Sequence, residues 1–244
     1  MSNRKTIIAT VFATLFAFNA NAGIVTNDTE LLTASGHEQL TQWLGEDVDL
    51  TRIFAKDETN STGKQWHDAV DEKGRTFVVM ETFANGQRMV LGGYNDAYWD
   101  SSYSSYYNED STNFLFNLST GEKYQFTHKG GPASGETPND GSKFGSADLY
   151  VYSKLSSGTS YIGRVYTKEG YSGYEEDFSQ EFTGSENHRF EIGKFETFTL
   201  SVSTGGFGDG ATASISEKSG LSDVPIAFSI SSLFLLGLAS RKKR

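Results

Sequence analysis

The stretch TFVVMETFANGQRMVLGGY, residues 76–94, decides the fold class. Thr76–Thr82 is rich in β-branched and aromatic residues, and Asn85-Gly86 is a pair typical of a two-residue hairpin turn. Arg88–Tyr94 returns as the partner strand. The stretch therefore predicts two antiparallel strands joined by a tight turn.

A second hairpin and further strands are expected downstream. Phe114–Leu118 and Lys123–Phe126 flank a turn, and we also expect strands at Leu149–Tyr152, Tyr161–Tyr166 and Phe195–Val202. The Gly- and Pro-rich residues 129–142 predict a loop.

Two short helices are predicted upstream of the hairpins. Ser35 and Glu38 form a capping-box pattern for a helix that ends at Gly45. Apolar residues three and four positions apart predict a second helix from Ser61 or Thr62 to Gly74. Helices followed by antiparallel hairpins indicate an α+β domain, a two-sheet antiparallel β-sandwich with short flanking helices.

The composition excludes several classes of protein. The 244 residues are 36% hydrophobic and 14% aromatic and include no cysteine, so the chain can form a core but has no disulfide or thiolate chemistry. The four histidines are scattered, and no nucleophile elbow or phosphate-binding loop is present. We expect no cofactor, although calcium stays open through acids that folding brings together.

The N-terminus is typical of a secretory signal. Met1–Ala22 has a positive start at Arg4 and Lys5, an uncharged and mostly apolar run, and a small-x-small pattern ending at Ala22. We expect cleavage after Ala22 and export of a domain spanning residues 23–204.

The C-terminus is typical of a membrane or sorting segment. Residues 205–223 predict a Gly/Ser-rich spacer, and 224–244 contain an uncharged, mainly apolar stretch closed by four cations. This end resembles the PEP-CTERM sorting signal of Gram-negative bacteria that make an extracellular matrix, with Val224-Pro225 as its motif. Ile226-Ala227 stands where that signal usually has Glu-Pro. The resemblance implies sorting machinery, a membrane contact, and a location in the periplasm, on the outer surface or in the matrix.

The exported body is strongly acidic. Six of the 21 Lys and Arg residues and none of the 31 Asp and Glu residues lie in the two terminal segments, which leaves a net charge of −16. This charge argues against nucleic acid as a partner, because phosphate binding needs a basic face.

The most unusual local composition lies at residues 94–107. Tyrosines there alternate with serine, asparagine and aspartate, as in surfaces that contact sugars or proteins. An alternative is that the rings fold inward, which we favour for Trp99. The candidate binding residues are Tyr98, Trp99, Tyr103, Tyr106 and Tyr107.

Several segments together resemble the TLDc domain family. They occur in the family's order within Leu31–Val202: Trp66-His67, Leu91–Tyr94 with Trp99–Ser102, Asn113–Leu118, Phe144–Val151 and Phe190–Phe198. The resemblance implies a two-sheet antiparallel β-sandwich.

The family's eukaryotic members are linked to protection from oxidative stress and to the vacuolar ATPase, which an exported bacterial chain would not meet. Suggestions of catalysis in the family point here to Gly92, Gly93, Ser101 and Glu196. The two glycines are also explained by a strand end that needs close backbone approach. Glu196 is equally explained as an exposed residue between inward-facing Phe195 and Phe198.

Taken together, these patterns favour a cell-envelope or matrix binding module without catalytic machinery. Its expected partner is an extracellular polysaccharide or an envelope protein. One alternative is a secreted glycan-processing enzyme that uses acids near Glu196 or Glu175, with or without calcium. A further alternative, by analogy with the eukaryotic family members, is protection from oxidative stress.

Overall fold

The computed structural model describes residues 25–26, 29–57, 61–102, 105–108, 110–127, 132–135, 137–171 and 177–203. The predicted signal peptide with Ala22, the spacer, and the C-terminal segment with Val224 and Pro225 lie outside these residues. Among the helices in the described ranges, none is long and apolar enough to cross a membrane.

Short helices are interspersed among many strands. In chain order the described elements are β1 (Val25–Thr26), α1 (Ala34–Leu44), β2 (Val48–Ala55), α2 (Gly63–Val70), β3 (Thr76–Ala84), β4 (Gln87–Asn95), β5 (Ser105–Tyr106), β6 (Phe114–Asn117), β7 (Glu122–Phe126), β8 (Ser134–Gly135), β9 (Lys143–Phe144), β10 (Leu149–Val151), β11 (Ser157–Thr159), β12 (Tyr166–Lys168), α3 (Ser179–Thr183) and β13 (Arg189–Val202).

The strands form one continuous hydrogen-bonded ladder. Its order is β12-β7-β6-β4-β3-β13-β11-β10-β9-β8-β5, and β2 also pairs with β13 and carries β1 on its other edge. The short β1–β2 pair is parallel, and the pairs along the ladder are antiparallel. The predicted α+β class with a β-sandwich-like architecture is confirmed.

The first predicted hairpin is confirmed in register. β3 pairs with β4 from Thr76 opposite Asn95 to Ala84 opposite Gln87. Asn85 and Gly86 have φ angles of 49° and 75°, the left-handed conformation that a twist-matched two-residue turn requires.

Both faces of the central strand β3 are covered. Val78 and Met80 belong to one hydrophobic core, whereas Phe77 and Val79 belong to a second core on the opposite face. The first seven residues of β3 are therefore all buried.

Both predicted helices form, with corrected ends. The N-cap of α1 is Thr33 rather than Ser35, because the Thr33 hydroxyl accepts the Gly36 amide hydrogen at 3.1 Å. Gly45 ends this helix in the left-handed conformation, as expected. The second helix, α2, is capped by Thr62, but it ends at Val70, four residues before Gly74.

The other predicted strands are confirmed in part. The second hairpin forms as β6 and β7, Leu149–Tyr152 corresponds to β10, and Phe195–Val202 is the C-terminal part of the longer β13. Tyr161–Tyr166 was a wrong expectation except at its last residue, since the chain turns there before β12 begins. The predicted loop at 129–142 contains the two residues of β8.

Candidate functional site

The aromatic loop, residues 96–107 after β4, buries its tryptophan. Trp99 has 0% exposure, its Nε1 donates to Thr76 Oγ1 at 2.8 Å, and its ring centroid lies 5.0 Å from that of Trp66. The core role favoured for Trp99 is confirmed. The prediction that Trp99 is a binding residue is therefore wrong, because the buried side chain offers no surface to a ligand.

Two tyrosines of the same loop face the solvent. Tyr98 is 55% exposed and Tyr107 is 69% exposed. Tyr106 is half-buried against the core that contains Trp99, and its hydroxyl accepts a hydrogen bond from Asn108 Nδ2 at 3.1 Å. Tyr103 lies outside the described residues. In the described part of the loop, Tyr98 and Tyr107 are thus the most accessible rings.

The first half of the loop is held by the residues that follow α2. Asp71 Oδ2 accepts the Ser101 amide hydrogen at 3.0 Å, and Asp71 Oδ1 lies 2.7 Å from His67 Nδ1. The Glu72 amide donates to the Trp99 carbonyl at 2.9 Å. The backbone on both sides of Asp100 is therefore fixed to the domain.

The turn after Trp99 is closed by Asp100. The Ser102 hydroxyl and amide donate to Asp100 Oδ1 at 2.5 and 2.8 Å. These two hydrogen bonds favour the ionised carboxylate and lower the pKa of Asp100.

The start and the end of the loop are also attached. At the start, Asp96 Oδ2 accepts the Thr112 amide hydrogen at 2.5 Å. At the end, the Tyr106 carbonyl accepts the Ala133 amide hydrogen at 2.9 Å, next to the β5–β8 pairing. The exposed tyrosines therefore stand on a loop with a fixed base.

Glu196 lies inside the domain, so the expectation that it is exposed was wrong. It is 3% exposed, and its Oε1 accepts hydrogen bonds from Arg52 Nη1 at 2.6 Å and from the Glu30 amide at 3.2 Å. Its Oε2 accepts from the Thr29 hydroxyl at 2.6 Å. A carboxylate that accepts hydrogen bonds from one cation and two further donors satisfies the usual condition for burying a charge.

Further charged groups surround the part of β13 between Ile192 and Phe195, where its pairing with β3 shifts register. Lys194 pairs with Glu30, and this hydrogen bond raises the pKa of Lys194 and lowers that of Glu30. Lys56 Nζ donates to the carbonyls of Ile192 and Gly193 at 2.9 and 2.8 Å, and partial burial lowers the pKa of Lys56. These contacts join the N-terminal segment and the end of β2 to β13.

The described histidines and acids do not converge on a metal. No group of three or more His, Asp or Glu side chains within the described ranges is placed to hold an ion. His37 Nε2 lies 3.0 Å from the Val48 carbonyl, and the His188 ring stacks on Tyr161 with centroids 4.5 Å apart.

With this geometry in view, the family model of the TLDc domain matches residues 25–201. The chain belongs to the TLDc domain family. No curated protein matches it significantly in sequence.

In this TLDc domain, the glycine pair of β4 is required by close packing. A Cβ atom on Gly92 would lie 1.9 Å from the Val78 carbonyl oxygen, and one on Gly93 would lie 2.6 Å from the Phe144 ring. The expected close approach is confirmed, but the pair lies within β4, which continues to Asn95, and not at its end.

The other two family-motif positions of the TLDc domain are Ser101 and Glu196. The Ser101 hydroxyl has no hydrogen-bond partner in the described part of the chain, whereas its amide is held by Asp71. Both oxygens of Glu196 are engaged. The structure does not bring these two side chains into contact with each other.

Sequence reasoning missed the partners that give these positions their roles. Arg52 lies on β2, a strand that was not predicted, although the alternation of Val48 and Leu50 is a usable signal. Thr29 and Asp71 carry no such signal, because their contacts join segments distant in sequence.

Proposed function

We propose that this TLDc domain is an exported binding module that presents the aromatic loop to a partner in the cell envelope or the extracellular matrix. The observation that carries the proposal is the exposure of Tyr98 and Tyr107 on a loop attached at both ends. Tyrosine has few rotatable bonds, so a fixed loop presents a large contact area at low cost in conformational entropy.

The partner is an extracellular polysaccharide or an envelope protein. Tyrosine suits either, since its ring packs on apolar surface while its hydroxyl forms hydrogen bonds. The net charge of −16 between the two terminal segments disfavours anionic lipid and nucleic acid through long-range repulsion.

Export is supported by the sequence of the two ends. Met1–Ala22 has the three parts of a signal peptide, and residues 224–244 have the composition of a membrane or sorting segment. These features support the proposal that the domain acts at the surface or in the matrix of a Gram-negative bacterium.

The loop is tested with a double variant of the full chain, Tyr98→Ala/Tyr107→Ala. Binding is measured on a glycan array and on exopolysaccharide and envelope protein fractions from the native host. We expect retention on the recognised ligand to fall at least tenfold. Tyr171→Ala removes a partly exposed tyrosine elsewhere and serves as the matched control. Unchanged binding of the double variant to every ligand would reject the loop as the contact surface.

Neither acid named for the carboxylate-enzyme alternative supports it. Glycoside hydrolysis uses two carboxyl groups about 5 to 9.5 Å apart that face the substrate. Glu196 is buried with both oxygens engaged, and Glu175 lies outside the described residues. The proposal therefore assigns Glu196 a structural role.

A further inference from the structure

A groove away from the aromatic loop crosses the N-terminal end of β13. Its volume is about 510 Å³, within the range of roughly 300 to 1,000 Å³ found for sites that bind small ligands. Its side-chain lining includes Phe83, Tyr152, Ser157, Asn187, Arg189 and Glu191.

The groove forms where β13 changes its neighbours. Arg189–Glu191 pair with β11, whereas pairing with β3 begins only at Glu191, which lies opposite Phe83. The β3–β4 turn at Asn85-Gly86 forms one wall of the groove, and the start of β11 forms the other. Directly paired residues share a face of a sheet, so Phe83 and Glu191 lie on the same side.

Phe83 supplies an accessible aromatic ring on this face. The residue is 40% exposed, although β3 is buried over its first seven residues. Gly193 leaves room for the ring, since a Cβ atom there would lie 2.9 Å from Phe83 Cε2. The groove therefore has an apolar surface on which the carbon–hydrogen face of a sugar ring can pack.

The groove contains one cationic and one anionic side chain, Arg189 and Glu191. In the described part of the chain, the side chains of Arg189 and Glu191 have no ion-pair or hydrogen-bond partner. Asn187 Oδ1 is fixed by the Ser185 hydroxyl at 3.0 Å and the Arg189 amide at 3.1 Å, so its amide group remains as a donor.

These groups match hydroxyl-rich, uncharged ligands. A sugar hydroxyl both donates and accepts, and the groove offers donors from Arg189 and Asn187 and an acceptor in Glu191. One cation and one anion leave no net charge to select a charged ligand, and the acidic body repels polyanions.

We propose that this groove binds a neutral oligosaccharide, with Phe83 as the stacking platform and Arg189 and Glu191 as the hydroxyl-binding pair. This inference rests on the proposed binding function and adds a second contact site to it. It names the ligand class that the aromatic loop alone leaves open.

The test is calorimetric titration of the full chain with cellotetraose, laminaritetraose, maltotetraose and, as a charged comparison, tetragalacturonate. We expect saturable binding of at least one neutral tetrasaccharide, weakened at least tenfold in Phe83→Ala and at least fivefold in Arg189→Ala. Lys154→Ala, which also removes an exposed cation, is the matched control and should bind like the parent chain. Circular dichroism of each variant verifies that it is folded.

The remaining outcomes separate this inference from the proposed function. Three results would contradict binding of a neutral oligosaccharide in the groove. They are no saturable binding of any neutral tetrasaccharide, a preference for tetragalacturonate, and an unchanged affinity in Phe83→Ala. If only Tyr98→Ala/Tyr107→Ala loses binding of its ligand, whether glycan or protein, the result supports the proposed function and rejects the groove as a binding site. If only Phe83→Ala loses tetrasaccharide binding, the result supports the groove as the binding site and rejects the aromatic loop as the contact surface.

Discussion

At the residue scale, the best-defined polar site is the carboxylate of Glu196. It holds Arg52 on β2 and Thr29 in the N-terminal segment, and so joins three parts of the chain that are far apart in sequence. We expect Glu196→Gln to lower the free energy of unfolding by about 2–3 kcal/mol, because the substitution removes the buried negative charge that pairs with the Arg52 guanidinium. Urea unfolding measures the loss, and hydrogen exchange should rise at residues 29–33.

The matched control is Glu191→Gln, on the same strand but exposed and unpaired among the described residues. Exposed substitutions of this kind usually change stability by less than about 0.5 kcal/mol. Equal losses in the two variants would show that the Arg52 and Thr29 contacts contribute nothing specific.

A second buried carboxylate, Asp148, holds the turns on either side of β10 and β11. Its Oδ1 accepts the amide hydrogens of Val165 and Tyr166 at 2.9 and 3.0 Å, and its Oδ2 accepts that of Ser146 at 3.1 Å. Burial nevertheless raises the pKa of Asp148 to about 6, against an ordinary value near 3.9. The backbone donors oppose this increase without cancelling it.

This raised pKa predicts that the free energy of unfolding depends on pH and falls as the pH rises. Between about pH 4 and 6 the folded state binds more protons at Asp148 than the unfolded state does. The contribution of Asp148 to the free energy of unfolding is therefore fully present below about pH 4 and is lost as the pH rises through about 6. The free energy of unfolding falls by up to about 3 kcal/mol across this pH range. We expect the stability advantage of the parent chain over Asp148→Asn to be larger at pH 4 than at pH 7, by urea unfolding at both values. A difference that is constant or grows with pH would contradict the assignment.

At the element scale, the start of α1 gives a direct test of helix capping. Thr33 accepts the Gly36 amide hydrogen, whereas Ser35 lies within the helix and its hydroxyl lies 3.0 Å from that of Thr33. We expect Thr33→Ala to cost about 1 kcal/mol and Ser35→Ala less than half of that. Thermal unfolding followed by circular dichroism compares the two variants, and a larger loss in Ser35→Ala would mean that the helix begins two residues later.

Local signals predicted the elements that depend on neighbours in sequence. The hairpin at Thr76–Tyr94 follows from β-branched residues around Asn85-Gly86, and the start of α2 near Ser61 or Thr62 follows from the apolar spacing after it. The Thr33 cap was missed because Ser35 and Glu38 satisfy the same spacing rule as a true capping box. Thr33 has Gly36 rather than a glutamate or glutamine three residues later, so spacing alone selects the wrong one of two nearby hydroxyls.

Sequence alternation failed where the sheet is covered on both faces. Exposure of Glu196 was predicted because it lies between two phenylalanines, but β3 and β2 flank β13 there and the N-terminal segment covers the carboxylate. Phe195, Glu196, Thr197 and Phe198 are consequently all buried. An alternating pattern assigns side chains to faces and does not reveal which faces another segment covers.

At the scale of the whole molecule, the two proposed contact sites lie on separate elements of one TLDc domain. The aromatic loop follows β4 and depends on Asp71, whereas the groove crosses β13 near the β3–β4 turn. Two contact sites on one domain can hold a polymer more firmly than either site alone, because the second contact forms at a high effective concentration. The proposed partners lie outside the cytoplasm, so the proposal requires export of the chain.

Processing of the ends is therefore the last prediction. Mass spectrometry of the protein from its native host should find Gly23 as the first residue and a C-terminus without Arg241–Arg244. Removal of six cations changes the formal net charge from −10 to −16, so the mature form should focus below the isoelectric point of about 4.9 expected for the whole chain. A chain expressed without residues 1–22 should stay in the cytosol with its basic end intact, which supplies the control. An intact Arg241–Arg244 end on exported protein excludes sorting by cleavage, and an intact Met1 on protein in the cytosol excludes export.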